Sequence, residues 1–135
     1  MLNGPRMFKS SCIKTLSAVE ARPERSNQHE LNGVQELKHI FGISRFSGDA
    51  IFSLRGSNIT ANAGVTWYDA REAHPTRTEH RFYFKSNPVM DLAEEGDDII
   101  VGFDQMDMLH FVLIKRGTTG HTGDMKTWVR LSEQS

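Results

Sequence analysis

"EHRFYFK", residues 79–85, has the alternation that decides the fold class. Successive side chains of a strand point to opposite faces, so His80, Phe82 and Phe84 share one face and Arg81, Tyr83 and Lys85 the other. Aromatic residues on one face against charged residues on the other describe a half-buried strand. Six further runs are strand-like: "SCIKTLSAV" (11–19), "DAIFSLRG" (49–56), "GVTWYDA" (64–70), "DDIIVGFD" (97–104), "MLHFVLIKRG" (108–117) and "TWVRLS" (127–132). Several are rich in β-branched or aromatic residues and bounded by Gly, Asn, Asp or Ser, which punctuate strands.

One segment has helical period instead. In "NGVQELKHIFG" (32–42) the apolar residues Val34, Leu37, Ile40 and Phe41 form a single stripe, with Asn32 as the N-cap and Gly42 as the stop. A weaker pattern, "PVMDLAEEG" (88–96), predicts a second short helix opened by Pro88 and ended by Gly96. About seven short strands and two short helices predict a mainly β domain covering residues 1–135, a closed or nearly closed β-barrel, since closure removes exposed edges.

A chain of 135 residues is long enough to bury a core without staples. The single cysteine, Cys12, excludes an intrachain disulfide and a cysteine-based zinc site, and its apolar setting reads as a buried strand thiol. A reducing compartment, the cytoplasm, follows as an expectation. No apolar run approaches the ~20 residues that span a bilayer as a helix, and "MLNGPRMFKSSC" lacks the continuous apolar stretch of a secretory signal.

Net charge is −1, yet it is unevenly spread. Residues 1–85 hold 12 Lys and Arg against 8 Asp and Glu, a balance of +4; residues 86–135 hold 4 against 9, a balance of −5. Such asymmetry predicts one face suited to an anionic partner and another kept soluble. The alternative is chance plus a solvated acidic loop, "DLAEEGDD".

Two connections concentrate the planar hydrogen-bonding side chains. "EARPERSNQHELN" (20–32) offers Arg22, Arg25, Ser26, Asn27, Gln28 and His29. "AREAHPTRT" (70–78) offers Arg71, His74, Thr76 and Arg77, with Glu79, His80 and Arg81 beginning the next strand. These residue types suit base edges: Arg matches guanine O6 and N7, Asn and Gln match adenine N6 and N7, and a carboxylate accepts from cytosine N4. A Glu among arginines fits base reading better than a pure phosphate clamp, because a carboxylate repels the backbone. Equally, "TRTEHR" is consistent with an exposed hairpin of surface ion pairs, each worth little.

No catalytic constellation emerges. "GTTGHTGDMK" (117–126) lacks the Lys-Ser or Lys-Thr of a phosphate-cradling loop and reads as a flexible hairpin, with phosphate or backbone contact by its Thr and His residues as a secondary reading. The six histidines lack zinc-ligand spacing, and His110 reads as a satisfied strand residue. Asp97, Asp98, Asp104 and Asp107 lack the spacing of a calcium loop and read as solvated acids. No metal and no cofactor are expected.

"KTLSAVEARPERSNQ" (14–28) followed by "WYDAREAHPTRTEHR" (67–81) resembles the DNA-recognition domain at the N-terminus of EcoRII-type restriction endonucleases. Related modules occur in BfiI-like endonucleases and in a family of plant transcription factors. The resemblance implies a seven-stranded DNA-binding pseudobarrel with two short helices, whose two arms hold the major groove, one after the first strand and one between the middle strands. It implies that Lys14 and Ser17 open the first arm, with Asn27 and Gln28 reaching bases from its tip. Where the family pattern has His-Gln this chain has Asn27-Gln28, with His29 one place later. In the second arm Thr76, Arg77, Glu79, His80 and Arg81 match the recognition stretch, Arg77 and Glu79 reading guanine and cytosine. About 70 residues carry the likeness; the C-terminal third matches in strand pattern alone.

The expectation is therefore sequence-specific binding of double-stranded DNA by a non-catalytic, monomeric, prokaryotic domain of restriction-endonuclease type. A grip on one site needs no twofold symmetry. Cleavage would belong to a nuclease domain or subunit elsewhere, whether this is an excised domain or a free-standing module. Two rivals stand beside it: a protein-interaction module anchored by Trp67 and Tyr68, and an enzyme clamping a nucleotide phosphate with Arg77 and Arg81 and using His74 or His80 as acid–base.

Overall fold

The computed structural model describes residues 8–17, 21, 30–32, 37, 40–42, 45–69, 80–123, 125 and 128–131. Within these the protein is mainly β. Its strands are β1 (Phe8–Thr15), β2 (Glu30–Asn32), β3 (Phe46–Leu54), β4 (Thr60–Asp69), β5 (His80–Phe84), β6 (Asp98–Asp104), β7 (Leu109–Ile114) and β8 (Val129–Arg130). They form one sheet in the order β2-β5-β4-β3-β7-β6-β1-β8. The sheet curls into a half-barrel, with the short strands β2 and β8 at its two edges. All pairings are antiparallel except β3 with β7.

Each predicted strand run overlaps a strand, but the described residues hold eight strands rather than seven, and the edges β2 and β8 are not paired with each other. The additional strand, β2, lies in the stretch read as arm and cap: Asn32 pairs with Arg81 of β5. Of the predicted helix, Leu37, Ile40 and Phe41 are described and have helical backbone. Leu37 is fully buried, and Ile40 and Phe41 pack against the core. Gly42 follows at φ +76°, the left-handed conformation that ends a helix without steric cost. Its carbonyl accepts a hydrogen bond from Trp67 Nε1 at 3.0 Å, so the buried indole satisfies a helix-end carbonyl.

The second predicted helix reduces to a single 3-10 turn, Met90–Leu92. Asn87 Oδ1 accepts from the Met90 N–H at 3.0 Å and starts the turn. The Glu94 N–H donates to Asp97 Oδ2 at 2.8 Å, which turns the chain toward β6 before another helical turn can form.

The inner face of the curl holds the main core. Phe52 stacks on Phe111 across the parallel β3–β7 pair at 4.5 Å, and Phe82 meets Phe111 edge-on at 5.1 Å. Phe41 bridges Trp67 and Phe82 at 5.2 and 4.8 Å, fastening the helical segment to β4 and β5. Cys12 is fully buried here, as its sequence setting predicts.

The outer face is divided. Over β1, β6 and β7 a second cluster of Phe8, Ile13, Ile100, Val112 and Ile114 is packed against Met125 and Leu131. Both faces of β6 and β7 are therefore covered, which is why "DDIIVGFD" and "MLHFVLI" are continuous apolar runs without alternation. Over β3, β4 and β5 most outer positions are polar, and Ser47, Asp49, Thr66, Tyr68, Tyr83 and Lys85 are at least partly exposed. At Gly102 a Cβ would come within 2.5 Å of Ser11 Cβ, so the close approach beside the β1 bulge requires glycine.

Candidate functional site

The pairings fix where the two charged connections are rooted. Following strand direction across the sheet, β1 ends and β2 begins at one end, whereas β4 ends and β5 begins at the other. The first connection enters β2 at Glu30, opposite Tyr83; the second spans Asp69 and His80, which pair with each other. Along β5 the two roots lie three residues apart, about 10 Å at strand rise.

Most of the predicted contact residues lie outside the described residues: Arg22, Arg25, Asn27, Gln28, His29, Arg71, His74, Thr76, Arg77 and Glu79. Lys14 and Ser17 are described. Ser17 is exposed at the departure of the first connection, whereas Lys14, in β1, is only 8% exposed, leaving little surface for a phosphate. His80 and Arg81 are described as backbone, paired with Asp69 and Tyr68. Trp67 is fully buried with its indole N–H engaged, so it cannot anchor a protein partner in this structure.

The first connection departs from a tightly held root. The Leu16 N–H donates to Asp97 O at 2.7 Å, and Gly96 N–H returns a bond to Leu16 O at 3.0 Å. Asp98, with no exposed surface, sits beneath. Its carboxylate accepts from Thr15 Oγ1 at 2.6 Å, the Thr122 N–H at 2.7 Å, Thr122 Oγ1 at 3.0 Å and the Gly123 N–H at 3.2 Å. Burial raises the Asp98 carboxyl, but the bonds from Thr15, Thr122 and Gly123 together outweigh it and hold the group below its ordinary value.

This network corrects two readings of the sequence. Residues 121–123 are not part of a free hairpin: the Thr122 and Gly123 N–H groups and the Thr122 hydroxyl already hold an anion, the protein's own Asp98, and His121 Nε2 lies 2.6 Å from Gly96 O. Nor are the acids solvated as a group. Asp97 is fully buried, with Lys115 Nζ at 2.7 Å and the Arg116 N–H at 2.9 Å. Burial lowers the Lys115 ammonium, but hydrogen bonds to Asp97 and then Glu94 reverse this and raise it overall. Asp104 accepts from the Met106 and Met108 N–H groups and lies 2.8 Å from His110 Nε2, so His110 is a buried strand histidine engaged through Nε2. For Asp104, burial raises the carboxyl, while the Met108 N–H, His110 and the Met106 N–H together bring it below its ordinary value. Asp107, exposed, pairs with Lys9.

The open part of the outer face carries a different arrangement. Ser47, Thr66 and Tyr83 stand in register across β3, β4 and β5, with the two hydroxyls 3.4 Å apart. One row toward the second connection, the Arg45 guanidinium lies 5.9 Å from the centre of the Tyr68 ring, and Tyr68 pairs with Arg81. One row the other way, Asp49 faces Gly64, and the aliphatic stem of Lys85 lies alongside Gly64. Together with Gly48 and Val65, the Ser47, Asp49, Gly64, Thr66, Tyr83 and Lys85 positions line an open concavity of about 330 Å³. Sequence reading missed this grouping, because its members come from three strands and only their polar outer positions signal exposure.

Among the described residues no group of three His, Cys, Asp or Glu side chains is placed to hold a metal ion, and no helix is long and apolar enough to cross a membrane. No protein-family model matches the chain, and no curated protein matches it.

Proposed function

We propose that the protein is a sequence-specific double-stranded DNA-binding module, a pseudobarrel of the type that recognises targets for restriction endonucleases. The observation that carries this reading is the rooting of its two Arg-containing connections. The first enters β2 opposite Tyr83 and the second joins β4 to β5 at His80, so these two roots lie about 10 Å apart along β5, close to the roughly 12 Å width of the major groove. The likeness of residues 14–28 and 67–81 to the endonuclease recognition domain supports it independently. In this reading Arg77, Glu79 and the Asn27–Gln28 tip discriminate bases, while Arg22, Arg25 and Arg71 supply salt-dependent attraction to the backbone and Ser17 hydrogen-bonds a phosphate. The domain acts as a monomer in a prokaryotic cytoplasm, and cleavage is done by a nuclease domain or subunit that it guides.

The test is selection from a random duplex pool at low and near-physiological salt. A short motif that survives the higher salt supports the reading, and Arg77→Ala should then relax one base pair at a cost of about 1–3 kcal/mol. Weak binding without enrichment at either salt overturns it.

A further inference from the structure

We propose that the open concavity on β3, β4 and β5 binds an unpaired guanine base. The inference goes beyond duplex recognition and does not depend on it, since it is argued from residues of β3, β4 and β5 that belong to neither charged connection.

The argument starts from what the site displays. Asp49 and Lys85 flank Gly64, yet among the described residues neither charged end has an ion pair or a side-chain hydrogen bond. A carboxylate acceptor and an ammonium donor thus stand on either side of a floor that has no side chain. Phosphate does not suit this pair, because Asp49 would repel it. A purely apolar ligand does not suit it either, because binding would desolvate both charges without partners.

Guanine satisfies both. Its N1–H and N2–H groups donate side by side to a carboxylate, and its O6 accepts from an ammonium. Adenine, with an amino group where guanine has O6 and no N1–H, cannot offer two adjacent donors to the carboxylate with an oxygen acceptor beside them. Tyr83, 39% exposed, supplies an aromatic surface against which a base can stack, a contact that every base can make. The Ser47 and Thr66 hydroxyls in the adjacent row can bond a ribose. Selectivity therefore resides in Asp49 and Lys85, and general affinity in Tyr83.

The site's neighbours are compatible with occupation. A methyl group on Gly64 would meet the Lys85 stem at 3.6 Å, an ordinary contact, so the floor is open enough to accept added atoms without displacing backbone. Asp49 and Lys85 are exposed, so replacing either leaves the core intact.

The test titrates the full chain with guanosine 5′-monophosphate, adenosine 5′-monophosphate and inorganic phosphate, following backbone amide shifts of Gly64, Thr66 and Tyr83 by NMR. Saturable shifts with the guanine nucleotide are expected, with roughly tenfold or weaker binding of the adenine nucleotide. Asp49→Asn should erase that preference, and Tyr83→Leu should weaken both nucleotides. Gly64→Ala, which retains the fold, should weaken both by narrowing the floor. Equal binding of the two nucleotides, the same shifts with phosphate alone, or no shift at the highest soluble concentration would each overturn the proposal. Because this titration reads free nucleotides at β3, β4 and β5 residues and the selection reads enrichment of a duplex motif, failure here leaves the duplex selection undecided, and the reverse holds as well.

Discussion

The two halves of the outer sheet face use the same residue types for opposite ends. Over β1, β6 and β7, Asp97 and Asp98 have no exposed surface and spend their oxygens on Lys115, Thr15, Thr122 and backbone N–H groups. Over β3, β4 and β5, Asp49 and Lys85 stay in water on either side of Gly64. The difference lies in what passes above. Met125 and Leu131 pack over the first half and Thr122 and Gly123 close on Asp98, so a charge there must be bonded internally or not exist. Nothing among the described residues seals the second half, so its charges remain available to a ligand.

Removing Asp98 would break the sealed half most severely. Asp98→Ala leaves the Thr15 and Thr122 hydroxyls and two backbone N–H groups without their acceptor. A loss of roughly 3–5 kcal/mol is expected by urea denaturation, since each buried unsatisfied donor costs about 1–3 kcal/mol and some will find water. The same clasp predicts a pH dependence. Asp98 and Asp104 both titrate below their ordinary value when folded, so their contribution is complete above the unfolded carboxylate pKa of about 3.9 and is lost as pH falls through the lower folded values. Denaturation midpoints measured from pH 6 downward should hold nearly level from these groups and then fall below about pH 4. A steady fall beginning near pH 6 would mean that other groups dominate.

Lys115→Met is the next largest disturbance. It retains the aliphatic stem but leaves Asp97 with backbone donors alone, so a loss of about 1–3 kcal/mol is expected. The contribution of Lys115 has the opposite pH sense. Its folded pKa is raised, so its contribution is complete below the unfolded value of about 10.4 and fades as pH climbs through the folded one. A wild-type stability advantage over Lys115→Met that persists unchanged through that alkaline range would refute the ion pair's role.

The smallest effect belongs to the open half. Asp49→Asn and Lys85→Ala should each change stability by no more than about 0.5 kcal/mol, as surface substitutions usually do. Should either one destabilise the protein as much as Lys115→Met does, the contrast between the halves fails, because the open charges would then be structural.

How much of this could be read in the sequence depends on the range of the interaction. Alternation in "EHRFYFK" gave the faces of Phe82, Phe84, Tyr83 and Lys85 correctly, because strand geometry is local. Gly42 was legible as a stop for the same reason. Strand β2 was not, because Glu30–Asn32 is too short to display a period and exists through its pairing with β5. The predicted helix at 88–96 failed because Asp97, three residues beyond Glu94, captures its N–H. No propensity could report that competition.

By itself, the sequence determined a β-rich chain with one cysteine, a cationic first part and an acidic last part, and two connections crowded with Arg, Asn, Gln and His. Composition and short-range period carry that information because they reflect each residue's own conformational and solvation preferences. Tertiary structure alone decided that Asp97 and Asp98 of "EEGDD" turn inward, that β3 runs parallel to β7, and that Ser47, Asp49, Gly64, Thr66, Tyr83 and Lys85 share one concavity. These depend on which strands become neighbours, a choice made by burying the Phe52, Phe82 and Phe111 cluster between distant segments rather than by any local preference.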